Sequence, residues 1–352
     1  MIENERRILS YARRKGAICK PELCRSSEVN CGWATASKLI DRLVKEELFE
    51  VAGTDGISRR YGKNAIAYKL SEKQHLTVAI DVEKTVTRTG IVALSGRILA
   101  ETTRPTPVKF DYDVLRDFLV EILAGIFDGS DHRRSDFAGI GIGIPVTVEL
   151  LRHGGEVCAE LGRELAARTG CDCRVANNIA VLGEYFRCTS GLTDFALVGH
   201  RTGIGGAVVT DNRLQRGRGG AGEFGRFKLA DGQTLEQAAS FPALARRYRE
   251  KTGRELDSMS ALFDRIAAGE AEAAELVREL AAALHQLFAA LDCTLNPPMV
   301  VIAADFGPHG RMLEKWIGEL EPSIGYQIIY RSTGVEDHLL AGAMQIQNRY
   351  FL

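Results

Sequence analysis

Apolar positions along this chain recur at more than one spacing, and the changes of spacing divide it. Over residues 3–15 (ENERRILSYARRK), Ile8, Leu9 and Ala12 fall at helical spacing among Arg6, Arg7, Arg13 and Arg14, and Gly16 ends the helix. Residues 20–27 carry Pro21 in a first helical turn, where its missing N–H does no harm. After a short connection, 28–32, the stretch WATASKLIDRLVKEELF puts Ala36, Leu39, Ile40 and Leu43 on one face. Its other face offers Trp33, Thr35, Ser37, Lys38 and Arg42. FEVAG at 49–53 alternates as a strand does. TDGISRRYGKN is a Gly- and Arg-rich turn, and AIAYKL at 65–70 reads as the returning strand.

From residue 76 the pattern shifts to strands alternating with helices. LTVAIDV, TRTGIVAL and GRILAET read as successive strands. A helix follows over 112–127, where Leu115, Phe118, Leu119, Ile122, Leu123 and Ile126 keep the 3.6-residue period. FAGIGIGIPV at 137–146 reads as a buried strand, then a helix at 156–169, the short strand CDCRVA and a helix at 178–188. FALVGH, a Gly turn and AVVTD form a hairpin. Helices are expected at 234–251 and 270–293, strands at MVVIAAD and YQIIY, and a last helix at 335–348 containing the small-residue run LLAGAM. The pattern predicts an α/β body in two lobes: residues 1–72 form a head, 73–189 the first lobe with the last helix returning to it, and 190–334 the second.

Charge sharpens this division. The 352 residues hold 45 Lys+Arg and 46 Asp+Glu, a net of −1. Residues 1–70 carry 14 basic and 9 acidic groups (+5), so the remainder carries 31 and 37 (−6). A basic head on an acidic body points to nucleic acid at one end. The first residues are charged from position 3 and lack a signal-peptide core, and no apolar run reaches membrane-spanning length, so a cytoplasmic protein without a membrane partner is expected. Eight cysteines with one close pair, Cys171 and Cys173, read as thiols rather than as a disulfide framework or a zinc site.

In the head, two short helices, a turn, a third helix with a polar leading face and a basic hairpin match a winged helix-turn-helix. Trp33, Thr35, Ser37, Lys38 and Arg42 would face bases or phosphates, and Arg59, Arg60 and Lys63 at the hairpin tip would meet phosphates or a minor groove. The partner expected is a double-stranded DNA operator.

The order of elements in the body resembles the ROK family of repressors, open reading frames and sugar kinases. The resemblance spans nearly the whole chain and is most specific at GIGIGIPV ending at residue 146, at TGIGGAVVTDNRLQRGRGGAGEFGR (202–226) and at LEQAAS (235–240). It implies a two-lobed, actin-like (ribonuclease-H-type) ATPase fold, here behind a DNA-binding head as in the regulator branch, and a homodimer.

Residue by residue, the resemblance suggests altered kinase chemistry. Asp81 and Thr85 match a phosphate loop, but Glu83 and Lys84 stand where the family has glycines. Thr202, Gly203 and Gly205 match a second phosphate turn. The family's catalytic Asp falls on Ala176, followed by Asn177 and Asn178. Glu223 and Glu236 match residues that hold sugar hydroxyls, with Arg226 in place of a His. The family's zinc cysteines are replaced by FKLADGQT, and its adenine-side glycines by Ala303-Ala304-Asp305. The loop VTVELLRHGGE after the buried strand is shorter than the family's sugar-contacting loop. Asn178, Glu223, Arg226 and Glu236 therefore form a ligand site for a sugar-like effector or persist as internal pairs. The sequence leads to a transcriptional regulator, a repressor by preference, with no catalytic residue, cofactor or metal and no enzyme activity. The alternatives are a sugar kinase that keeps a DNA-binding head, and a regulator that senses no ligand.

Overall fold

The computed structural model describes residues 3–53, 65–109, 111–145, 150, 156–217, 221–320 and 325–351. The chain divides into two compact units, Met1–Ala176 with Leu339–Leu352, and Asn177–His338.

The first unit opens with α1 (Glu3–Lys15), β1 (Ala17–Ile18), α2 (Lys20–Arg25), α3 (Trp33–Lys45), β2 (Phe49–Gly53) and β3 (Ala67–Leu70). The three strands form an antiparallel sheet in the order β1-β3-β2. Ile8, Leu9 and Ala12 of α1 are fully buried against Leu23 of α2 and Ile40 and Leu43 of α3, as the helical spacing requires. Leu94, from the turn between residues 92 and 98, and Tyr350 and Phe351 near the end of the chain join the same apolar cluster. Arg13 lies 4.8 Å over the Phe351 ring and 3.2 Å from the Met344 sulfur. His75 bonds the Tyr350 hydroxyl at 3.0 Å and the Glu46 carbonyl at 2.9 Å. These contacts place head and first lobe in one compact unit, where the sequence pattern separated them at residue 72.

Next come β4 (Leu76–Val82), β5 (Val86–Val92), β6 (Ile98–Pro105), α4 (Tyr112–Gly129), β7 (Phe137–Ile144), α5 (Val157–Thr169) and β8 (Cys173–Asn177). The sheet runs β6-β5-β4-β7-β8, with β4 antiparallel to β5 and parallel to β7. Its closest approach to a helix explains two sequence oddities together. A Cβ on Gly141 of β7 would lie 1.9 Å from the carbonyl oxygen of Gly342, within the final helix α12 (Val335–Phe351). The alternating glycines and the LLAGAM run are thus two halves of one backbone-to-backbone contact. Gln345 then donates to the Ile142 carbonyl at 3.0 Å.

The second unit contains α6 (Asn178–Ser190), β9 (Phe195–His200), β10 (Ile204–Thr210), β11 (Arg213–Leu214), α7 (Leu235–Ala239), α8 (Phe241–Thr252), α9 (Met259–Ala267), α10 (Ala271–Leu295), β12 (Met299–Ala304), α11 (Met312–Leu320) and β13 (Gln327–Ser332). Its sheet, β11-β10-β9-β12-β13, repeats the strand order of the first: three antiparallel strands with the first of them also parallel to a fourth. Such a duplicated two-sheet α/β plan is what the resemblance implies.

The boundary falls at 176/177 rather than 189, because α6 packs on β10: a Cβ on Gly183 would come 2.3 Å from the Ala207 methyl. The single helix expected at 234–251 is two. Pro242 has no N–H to donate to the Ala238 carbonyl, and Arg247 donates to it instead at 3.0 Å. Helices α9 and α11 were not anticipated. Among the described residues, no helix is long and apolar enough to cross a membrane.

Candidate functional site

In the head, α3 shows a face of mixed availability. Trp33 is 59% exposed, and Ala34, Thr35 and Lys38 are also exposed. Ser37 is engaged: Lys20 donates to its hydroxyl at 3.0 Å and pairs with Asp41 at 2.8 Å. Arg42 pairs with the buried Glu5 of α1, and at 3.9 Å with Glu46. The sequence reading grouped Arg42 with the outward residues. In the fold its charge balances a buried carboxylate, which ties α3 to α1. Arg59, Arg60 and Lys63 lie outside the described residues.

In the first unit, Asp81 is next to last in β4 and is 2% exposed. The turn to β5 places Asp81 directly opposite Arg88 in the antiparallel register. The Arg88 guanidinium lies 2.7 Å from Glu83 and 4.0 Å from Asp81. Glu83 donates its N–H to the Val86 carbonyl, and the Thr85 carbonyl accepts from the Thr106 N–H, so backbone pairing closes the turn. Sequence reasoning overlooked Arg88. The signal was present: a carboxylate and a guanidinium at facing positions of a tight hairpin form a cross-strand pair.

Ala176 presents a methyl group near the end of β8. Asn177 caps α6, its side-chain oxygen accepting from the Ile179 and Ala180 N–H groups at 2.9 and 3.1 Å. Its amide nitrogen is left facing Glu223, 3.3 Å away.

Glycines fix Glu223 from both sides. Gly222 has φ +87°, and a Cβ there would come 2.1 Å from the Gly206 carbonyl oxygen. One on Gly225 would come 2.5 Å from that of Ile204. The AGE-x-G run therefore lies directly on the backbone of β10. Gly206 in turn receives the Phe224 ring, and a Cβ there would meet it at 2.2 Å. Burial pushes the Glu223 carboxyl above its ordinary value, with Arg226 at 3.9 Å pulling the other way. Arg226 is half-exposed. Glu236, on α7, accepts the Ile204 N–H at 2.7 Å and lies against Gly203. Thr202, Gly203 and Gly205 thus belong to a turn pinned by a carboxylate. His200, at the end of β9, is 2% exposed and held at 2.7 Å by the Ala239 carbonyl. Burial keeps its imidazole below its ordinary value and so neutral.

Two further positions differ in kind from the family pattern. Residues 227–234 close as a small hairpin, with Leu229 and Gln233 joined through backbone and Lys228 donating to the Gly232 carbonyl. It supplies no thiol or imidazole, so a zinc ion does not fit there. After β12, the Tyr330 hydroxyl accepts from the Phe306 N–H at 2.9 Å and donates to the Ala304 carbonyl at 3.1 Å. Parts of 202–226 and of VTVELLRHGGE, namely 218–220, 146–149 and 151–155, lie outside the described residues.

The sequence profile of the ROK family matches residues 77–328. The chain belongs to the ROK family. Among curated relatives, a glucokinase of Thermotoga maritima is 28% identical over 311 residues, covering 76% of this chain and 96% of the relative. An N-acetylmannosamine kinase of Escherichia coli is 27% identical over 248 residues, covering 66% and 83%. Among solved structures, a ROK family transcriptional regulator described as a homologue of the E. coli MLC protein superposes with a TM-score of 0.71 at 19% identity. That match covers 99% of this chain and 96% of the regulator. A ROK glucokinase from Streptomyces griseus, in complex with glucose and AMPPNP, gives 0.61 at 22% identity over 77% and 98%.

These matches correct the expectation that the chain is not an enzyme, since its curated ROK relatives are sugar kinases. Glu83, Lys84 and Ala176 change the groups at hand, but they leave intact the two-sheet frame shared with those kinases.

Proposed function

We propose that this ROK protein is a DNA-binding transcriptional regulator, a repressor by preference, whose body binds a sugar-like effector. The observation that carries the reading is the head. Its order α1-β1-α2-α3-β2-β3, with the leading residues of α3 exposed, supports a winged helix-turn-helix. Its +5 charge suits a polyanion, and the match of fold to a ROK regulator extends through this part of the chain. A homodimer acting in the cytoplasm would present two copies of α3 to half-sites about one helical turn apart. Glu223, held partly buried beside Asn177 and Arg226, supports the effector half of the proposal, with Asn178 following Asn177 in the chain. Genomic footprinting with the full chain tests this. The expected result is a specific site whose affinity falls steeply with salt, and Lys38→Ala should lower the slope of log K against log salt by about one. No protected site at moderate salt would overturn it.

A second reading, sugar phosphorylation, is favoured by the names of the curated relatives. An ATP-consumption assay over glucose and N-acetylmannosamine decides it. Turnover lost in both Asp81→Ala and Glu223→Ala would assign catalysis to this body. Absence of turnover with retained DNA binding would leave the regulator reading alone.

A further inference from the structure

We propose that α3 reads its operator through thymine methyl groups, so that the half-site it faces is rich in A·T pairs. The inference rests on the DNA-binding reading above and adds the chemistry of the bases recognised.

Direct readout in a major groove draws on a short list of contacts. Arg or Lys hydrogen-bonds guanine, Asn or Gln hydrogen-bonds adenine, and apolar groups touch the C5-methyl of thymine. The structure removes several of these from α3. The helix carries no Asn or Gln. Its single arginine, Arg42, is committed to Glu5, a side chain only 2% exposed. Turning outward to a base would break its pair with a buried carboxylate, a costly step. Ser37 and Asp41 are joined with Lys20 in one network at 2.8 to 3.4 Å.

The exposed groups at the leading end of the helix are then the Trp33 indole, the Ala34 methyl, the Thr35 side chain with its own methyl, and the Lys38 ammonium one turn later. Three of these four offer apolar surface. Trp33 is the most telling, because an indole at 59% exposure leaves in water an apolar area that most folds would cover. Its position in the first turn of α3 is where a recognition helix meets base edges. Lys38, a point charge without a fork of donors, suits a phosphate. An exposed indole, an alanine and a threonine methyl at the reading end therefore complement the one base whose major-groove edge carries a methyl.

The test separates this inference from the function beneath it. Full-length protein is used to select sites from a randomised duplex pool, and the recovered duplex is then titrated as made with thymine or with deoxyuridine, which lacks only the methyl. The expected outcome is enrichment of A·T pairs and a loss of about fourfold in affinity for each contacted methyl removed, the ratio that burying one such group supports. Trp33→Ala should abolish most of the difference between the two duplexes. Lys38→Ala should weaken binding to both alike. Equal affinity for thymine and deoxyuridine duplexes, or sites anchored on G·C pairs, would overturn thymine readout while leaving DNA binding in place. Failure to enrich any duplex would overturn both.

Discussion

The turn after β4 and the turn after β9 stand at the same step of two sheets with the same strand order, yet they are held by different forces. After β4 the chain carries Glu83 and Lys84, and the carboxylates of Asp81 and Glu83 are gathered by one guanidinium from the facing strand. After β9 the chain carries Thr202 and Gly203, and the second strand, β10, is overlaid by the AGE-x-G backbone at distances only glycine permits. An ion pair is added to backbone pairing in the first turn, whereas the second joins the Glu236 carboxylate to close backbone packing on β10. A duplicated fold has thus kept its topology while changing, in one copy only, what fixes the loop. The groups suited to gripping a hydroxyl, Glu223 and Asn177, sit in the second copy.

The sharpest way to break this comparison is Gly222→Ala. The new methyl would meet the Gly206 carbonyl at 2.1 Å, and φ +87° adds strain of its own, so about 3 kcal/mol or more of stability should be lost. Gly232→Ala is the control. Its φ is nearly the same, +84°, but nothing lies within 4 Å of the added Cβ, so only the backbone term of about 1–2 kcal/mol remains. Urea unfolding of the two variants measures the difference. Similar losses would mean that the second turn is not held by close packing.

The next effect in size belongs to the first turn. Arg88→Ala removes the charge that balances two carboxylates whose side chains are 3% and 11% exposed. A loss of about 2–3 kcal/mol is expected, below the full range for a buried pair because Arg88 is itself 22% exposed. Arg88→Lys should recover part of it. A loss of a few tenths of a kcal/mol would show that water, not the guanidinium, solvates the cluster.

These two turns also mark how far the sequence could be read. The succession of strands and helices along the chain, in head and body alike, was legible because period-2 and period-3.6 patterns are local and strong, whereas the order of strands within each sheet came only with the fold. The spacing of Gly222 and Gly225 about Glu223 was legible as a motif, though its reason, contact with β10, needs the fold. The pairing of Arg42 was not legible, because helical spacing assigns a face but cannot reveal that Glu5, thirty-seven positions earlier, turns inward to meet it. The helix break at Ser240 was missed because the apolar period continues across Pro242. The kinase question was misjudged for a different reason: the expectation weighed the substituted side chains above the shared frame, whereas the curated relatives of this chain are sugar kinases.

The smallest effect concerns pH. Burial raises the Glu223 carboxyl above its value in the unfolded chain. Near neutrality the native state must hold this charge in a partly dry setting, and that disfavours folding. In acid, below the ordinary carboxylate range, both states are protonated and the site contributes its full stability. That contribution is lost as pH rises through the raised value, because there the native state binds more protons than the unfolded state. Glu223→Gln should therefore be more stable than the parent at pH 7, by on the order of 1 kcal/mol, with the gap closing in acid. The amide oxygen can still accept from Asn177, so the cap of α6 is preserved. His200 must be kept apart in such a series. Its depressed value makes stability fall as pH drops below the ordinary histidine range, equally in parent and variant, so it cancels in the difference. Denaturant midpoints of the pair at pH 4 and pH 7 read the effect directly. A gap of the same size at both pH values would assign the change to packing and remove charge burial at Glu223 from the account of the second turn.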